Sequence, residues 1–316
     1  MNDAAPPPTL TVPPPRAVVD LAMDDGAIVR LRRHGNPEGP RIALSHGNGL
    51  AIDAYLPFWS LLLDRYDVVL FDVRNHGQNP RHEPDLQPGG HHHWAQFAQD
   101  FETIFDGIAA HFGAAPVIGA FHSLSSIAAI MHTIERGARW SPLVLFDPPL
   151  FPPSGHPLAA LEREHMREMA ALARRRPARY DEPGALAAQL RRRAMFARWR
   201  PGMHDLFARA TLRPAADGDG WELACPRELE ARIFETNVDP ALWPRLGGLP
   251  VPLEIIAADP DLPGQQAPAL LSAAVAADQG IAYAMIPGTT HFLQVEQPEA
   301  VLAAMESFLG DGGVAV

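Results

Sequence analysis

Ser123 closes an apolar run, residues 116–121, and opens a run with helical spacing, residues 124–136. A strand that ends at a serine while a helix starts at the next residue lifts the hydroxyl above the carboxyl edge of a sheet, beside the free N–H groups of a helix start. A serine hydroxyl is a weak nucleophile until an imidazole takes its proton and a carboxylate orients that imidazole. His291 suits the base. It sits in Pro287-Gly288-Thr289-Thr290-His291-Phe292, between the last strand-like run and the last helical run. For the carboxylate the chain offers Asp259 or Asp261, in Ala257-Ala258-Asp259-Pro260-Asp261, with Asp147 after residues 142–146 as the alternative acid. The backbone N–H groups of Leu124 and of Asn48, in the turn His46-Gly47-Asn48-Gly49, are the expected donors to an oxyanion.

Around these residues, His122, Trp199 and Phe292 are expected to face a substrate. His46 is expected to shape the 46–49 turn through side-chain hydrogen bonds, and His76 to pack in the turn after its strand. The triplet His91-His92-His93 does not read as a metal site, because consecutive side chains at a helix start point in different directions. The runs Arg174-Arg175-Arg176 and Arg191-Arg192-Arg193 could bind an anionic substrate, against the ordinary reading of solvated helix faces.

These side chains need a scaffold. Strand-like runs at 41–45, 67–72, 116–121, 142–146, 253–257 and 281–286 alternate with helical patterns at 51–64, 91–112, 124–136, 268–277 and 298–309. A strand pair turning at Asp24-Asp25-Gly26 precedes them. Such alternation implies an α/β fold with a mostly parallel sheet between helices. Residues 151–247 break the rhythm. They show helices but no strand of the core type, and hold 16 Arg against 13 acids. They read as a helical cap inserted into a core of residues 17–150 and 248–316, behind a Pro-rich, disordered leader of residues 1–16. Five apolar side chains there, Met166, Met169, Met195, Phe196 and Trp199, are candidates to roof an apolar pocket.

Composition sets limits. The 316 residues are 47% hydrophobic and 20% charged, which suits a globular core. A net charge of −11 argues against a nucleic-acid-binding chain. None of the 26 basic residues is Lys, which excludes Schiff-base and P-loop lysine chemistry. One cysteine, Cys225, excludes an internal disulfide framework and a thiolate metal cluster. No membrane span and no signal peptide are evident, so a cytoplasmic location is expected.

The order of motifs carries a resemblance. The turn His46-Gly47-Asn48-Gly49, then Asp72-Val73-Arg74-Asn75-His76-Gly77, the serine turn, a cap, an acid loop and the late Gly288-Thr289-Thr290-His291-Phe292 together resemble the α/β-hydrolase superfamily over residues 17–310. The likeness is to its cap-bearing, esterase-like serine hydrolases. It implies a twisted sheet flanked by helices and a Ser-His-Asp triad without cofactor or metal. It also implies a small ester-like substrate, with lactones, thioesters and activated amides within range and a homodimer left open. Family precedent sets the acid after the penultimate strand, at Asp259 or Asp261. Alternatives within the fold are a cofactor-independent oxygenase, whose acid resembles Asp147 in position, a C–C bond-cleaving enzyme, and a non-catalytic ligand-binding protein. One departure stands out: the family's small residue two places before the serine is Phe121 here.

Overall fold

The computed structural model describes residues 9–263 and 267–311. Residues 1–8 of the expected leader, half of it, lie outside that range. Of its described part, Leu10 and Val12 pack against the apolar core, and the Leu10 carbonyl accepts from Arg209.

Strand β1 (Ala17–Ala22) pairs antiparallel with β2 (Ile28–Gly35), and Gly26 supplies the positive φ of the turn between them. After β3 (Arg41–Ser45), the expected helix over 51–64 is three short pieces, of which α1 (Leu56–Trp59) is the α-helical one. Pro57, which has no N–H to give, stands in its first turn. Strand β4 (Asp67–Phe71) leads through a loop to α2 (Trp94–Phe112). That helix starts three residues later than expected, because His93 is its N-cap and accepts from the Gln96 N–H. Next come β5 (Val117–His122), α3 (Leu124–Arg136) and β6 (Leu143–Phe146).

The segment after β6 begins with α4 (Ala159–Arg175), β7 (Arg179–Tyr180) and α5 (Pro183–Arg191). It continues through α6 (Met203–Thr211), β8 (Leu212–Pro214), β9 (Trp221–Leu223) and α7 (Arg227–Thr236). Its three strands form a small sheet in the order β7-β9-β8, which sequence reading did not foresee. Strands of two or three residues are too short to show alternation. The chain then returns to the main sheet with β10 (Leu253–Ala257), α8 (Ala267–Gln279), β11 (Ala282–Met285), α9 (Leu293–Glu296) and α10 (Pro298–Asp311).

The main sheet has eight strands in the order β1-β2-β4-β3-β5-β6-β10-β11, parallel from β4 onward. Its inner strands, such as β3, β4, β5 and β6, are buried on both faces and divide their side chains by alternation, while the edge strands β1 and β11 are largely exposed. Val69, Phe71, Phe121, Leu143 and Leu145 enter one core with α2 and α3. Val68, Leu70, Ile118, Val144 and Phe146 enter the other. The second core also takes Leu186, Phe196, Met203 and Phe207 from the segment between β6 and β10, which therefore shares the sheet's core. Among the described residues no helix is long and apolar enough to cross a membrane.

Candidate functional site

The parallel strands β3, β5 and β6 end at one edge, and the following residues meet there. The Ser123 N–H donates to the Phe146 carbonyl at 3.1 Å, which sets the turn after β5 beside the turn after β6. Ser123 has φ 53° and ψ −112°, a conformation that costs an L-residue free energy and persists only where its surroundings enforce it. Here the Ser125 hydroxyl accepts from the His122 N–H and donates to the His122 carbonyl, both at 2.9 Å, and the Ser126 hydroxyl donates to the Phe121 carbonyl at 2.6 Å. The bulk of Phe121 is absorbed one strand position away. A Cβ on Gly119 would lie 2.7 Å from the Phe121 ring, so the missing methyl group is the ring's space. The ring packs edge-on against Trp140 and tilted against Phe71 and Phe101.

His291 Nδ1 lies 2.7 Å from Asp147 Oδ2. A carboxylate can only accept, so Nδ1 carries the proton and Nε2 holds the free lone pair. Asp147 is fully buried, has φ 44°, and takes a second bond at 3.3 Å from the Ala258 N–H. The His291 partner is therefore the alternative acid and not the expected Asp259 or Asp261. Asp259 accepts from the Gly288 N–H at 2.8 Å and from the Asp261 N–H at 3.0 Å, which braces the turn that carries His291. Asp261 is exposed. The Ser123 hydroxyl makes no hydrogen bond among the described residues.

The 46–49 turn lies against the serine. A Cβ on Gly47 would sit 3.1 Å from Ser123 Cβ and from His122 Nδ1, an approach that glycine permits. Two neutral imidazoles and a phenol hold the turn. His46 Nδ1 donates to the Gly47 carbonyl, while its Nε2 accepts from the Val73 N–H. His76 Nδ1 donates to the Arg74 carbonyl, while its Nε2 accepts from the Gly49 N–H at 3.1 Å. The Tyr55 oxygen accepts from the Gly47 N–H at 3.3 Å. Burial lowers the pKa of both imidazoles, that of His76 to about 3. None of these bonds uses the N–H of Asn48 or Leu124. The Asn48 side chain instead donates to the Glu230 carbonyl at 2.8 Å, tying the turn to α7.

His122 is buried behind the serine and lines no cavity described here. Its Nε2 must donate to the His291 carbonyl at 2.9 Å, so its Nδ1 accepts from the Tyr55 hydroxyl at 2.7 Å. Trp199 is likewise buried, packed on Phe196, Phe207 and Phe292. Of the three residues expected to face substrate, Phe292 lines the larger cavity beside the site. His165 of α4 was not singled out from sequence, since one histidine in a charged helix carries no signal. It lies within electrostatic reach of His291 and Asp147, and burial lowers its pKa to about 4.

Two cavities flank the turn. The smaller, about 220 Å³ of atom-free space, is lined by Asn48, Ser123, Leu124, Trp94 and Met166 among others. The larger, about 690 Å³ including its mouth, is reached by Leu50 and Phe292 and is roofed by residues of α4 and α5. Elsewhere, Asp25, His82 and Asp85 bring three ligand atoms within 4.8 Å of one another, but Arg74 and Asn75 already engage the two carboxylates.

The model of the alpha/beta hydrolase family matches residues 42–304. The chain belongs to that family. Solved structures agree with the family's fold at low identity. An E-2-(acetamidomethylene)succinate hydrolase is 18% identical, with a TM-score of 0.71 over 93% of this chain and 100% of its own. An esterase from Exiguobacterium antarcticum is 15% identical, with a TM-score of 0.70 over 92% and 99%. A thioesterase domain from the curacin biosynthetic pathway is 16% identical, with a TM-score of 0.68 over 92% and 100%. No curated protein matched the sequence.

Proposed function

We propose that this hydrolase cleaves carboxylic esters through an acyl-enzyme, with Ser123 as nucleophile, His291 as base and Asp147 as the acid that orients it. The observation that carries the reading is the 2.7 Å bond between His291 Nδ1 and Asp147, which fixes the tautomer a serine's base requires. Ser123 Oγ attacks the carbonyl carbon and passes its proton to Nε2. The tetrahedral oxyanion takes the N–H groups of Asn48 and Leu124. Collapse breaks the bond to the alcohol, which leaves with the proton from Nε2. Water then gives a proton to the same nitrogen, attacks the acyl-serine and restores the enzyme. The Ser123–His291 bond closes when substrate is bound, as catalytic bonds left long in free enzymes do. The inserted residues 151–247 act as the cap that excludes water from these steps, and a small-molecule ester is the partner the site requires.

A fluorophosphonate probe should label the protein, and short p-nitrophenyl esters should be hydrolysed. Ser123→Ala should abolish both, with kcat down by about 10⁴-fold or more. A folded wild-type protein that shows neither reaction would refute the proposal.

Asp147 also favours a second reading. Its place after β6 resembles that of the acid in cofactor-independent oxygenases of the same fold. Oxygen uptake with a heteroaromatic substrate, surviving Ser123→Ala, would establish that reading against the first.

A further inference from the structure

The two cavities beside the 46–49 turn differ in charge as well as size. The smaller is lined by Asn48, Trp94, Ser123, Leu124, Pro149, Met166, Ile233, Phe234 and Asn237, none of them ionisable in the physiological range. The larger has an apolar wall, chiefly Leu50, Met169, Leu190, Phe207 and Phe292, into which three charged side chains are set: Arg176, Arg193 and Glu230.

The three charges do not balance. Glu230 Oε2 lies 2.5 Å from Arg176 Nη1, and the carboxylate is pressed against the 46–49 turn, where a Cβ on Gly49 would sit 2.5 Å from it. That pair is neutral and is held in place. Arg193 is exposed to solvent and has no ion pair and no side-chain hydrogen bond among the described residues. The charged side chains that line the larger cavity therefore sum to +1, carried by a guanidinium free to bind an anion. A neutral apolar group would gain by burial there but make no bond to Arg193. A group that ends in a carboxylate gains both by burial and by a charge-assisted bond that a guanidinium can make in bidentate form.

We propose that the larger cavity takes the longer arm of the ester, an apolar chain ending in one carboxylate, and that the smaller takes a short uncharged arm. The substrate class is a half-ester of a dicarboxylic acid, or a short-acyl ester of a hydroxy-acid. This rests on the ester-hydrolase reading above. Arg193 is the residue that sets the preference.

The test compares matched pairs that differ only in the terminal charge. Mono-p-nitrophenyl adipate against p-nitrophenyl hexanoate probes the acyl arm, and 6-acetoxyhexanoate against hexyl acetate probes the alcohol arm. In at least one pair the anionic member should have a kcat/KM about 10-fold higher. Arg193→Gln should bring that ratio to within about 2-fold of unity, whereas Arg192→Gln should not move it. Raising the salt concentration should lower the ratio in wild-type protein. Neutral members preferred or equal in both pairs, or a ratio untouched by Arg193→Gln, overturns the proposal. Calorimetric binding of monomethyl adipate and methyl hexanoate to Ser123→Ala protein separates the two failures. Arg193-dependent preference for the anion there upholds the cavity assignment even if no ester is turned over. Equal or absent binding of both removes it even if simple esters are hydrolysed.

Discussion

Two aspartates compete for one imidazole, and hydrogen-bond bookkeeping separates them. Asp147 gives one oxygen to His291 and the other to the Ala258 N–H, whereas Asp259 spends its oxygens on the N–H groups of Gly288 and Asp261. Asp147→Asn should therefore lower kcat by about 10⁴-fold with the fold intact, because an amide favours the wrong imidazole tautomer. Asp259→Asn should cost stability, about 1 kcal/mol per weakened bond, and leave most of kcat. Steady-state kinetics and urea midpoints on both variants check this, and the opposite pattern would return the acid to the loop after β10. The sequence carried Ser123, His291 and the 46–49 turn plainly, because strand-to-helix junctions and glycines mark them. It could not choose the acid, since all three aspartates follow strands that end at the same sheet edge. The Tyr55–His122 link was equally hidden. It joins residues 67 positions apart and depends on a tautomer that only the carbonyl of His291 fixes. Tyr55→Phe leaves a buried imidazole nitrogen and the Gly47 N–H without their partner. It should destabilise the protein by about 1–3 kcal/mol and slow turnover more than it weakens binding of a substrate analogue.

Strand β5 shows how an element absorbs a residue that its local motif disfavours. The turn at Ser123 needs close packing of strand and helix, yet Phe121 lies two residues before it. The ring lies over Gly119 and against Trp140, in the core that β5 shares with α2 and α3. Gly119→Ala would place a methyl group 2.7 Å from both the Phe121 ring and the Leu143 side chain, both of them fully buried. A loss of about 1–3 kcal/mol is expected from overpacking, with activity reduced as the serine turn shifts. Chemical denaturation and probe-labelling rates would register both effects, and an unchanged variant would mean that the ring does not depend on the glycine. The main-sheet strands were legible because two-sided burial writes continuous apolar runs, as in β4 and β6. The helix over 51–64 was overread because its apolar spacing is real while Pro57 interrupts its bonding.

At the scale of the molecule the ionisable groups settle how it meets acid. Six buried histidines, His34, His46, His76, His92, His122 and His132, and the half-buried His165 have pKa values lowered first of all by burial. That of His34 falls to about 4, with the Arg32 charge adding to the effect. Between these folded values and the unfolded value of about 6.5 the unfolded chain binds more protons. Their contribution is complete above pH 6.5 and is lost as pH falls toward 4, at about 1.4 kcal/mol per pH unit for each net proton taken up on unfolding. Four carboxyls act in the opposite sense. Burial raises the pKa values of Asp100, Glu162, Glu230 and Glu296, so the folded state takes up their protons first. The histidines outnumber them, so the net slope falls toward acid. On the alkaline side every basic side chain is Arg, which stays charged, and burial holds the Cys225 thiol and the Tyr55 and Tyr66 phenols protonated. The urea midpoint should accordingly be level from about pH 7 to 8, decline slightly above about pH 8.5 as the Cys225 thiol ionises in the unfolded chain alone, and drop steadily from pH 6.5 to 5. A midpoint that holds or rises on the acid side would mean that the imidazoles binding the 46–49 turn and the His291 loop are not held neutral by burial, and that the site is wetter than this packing allows.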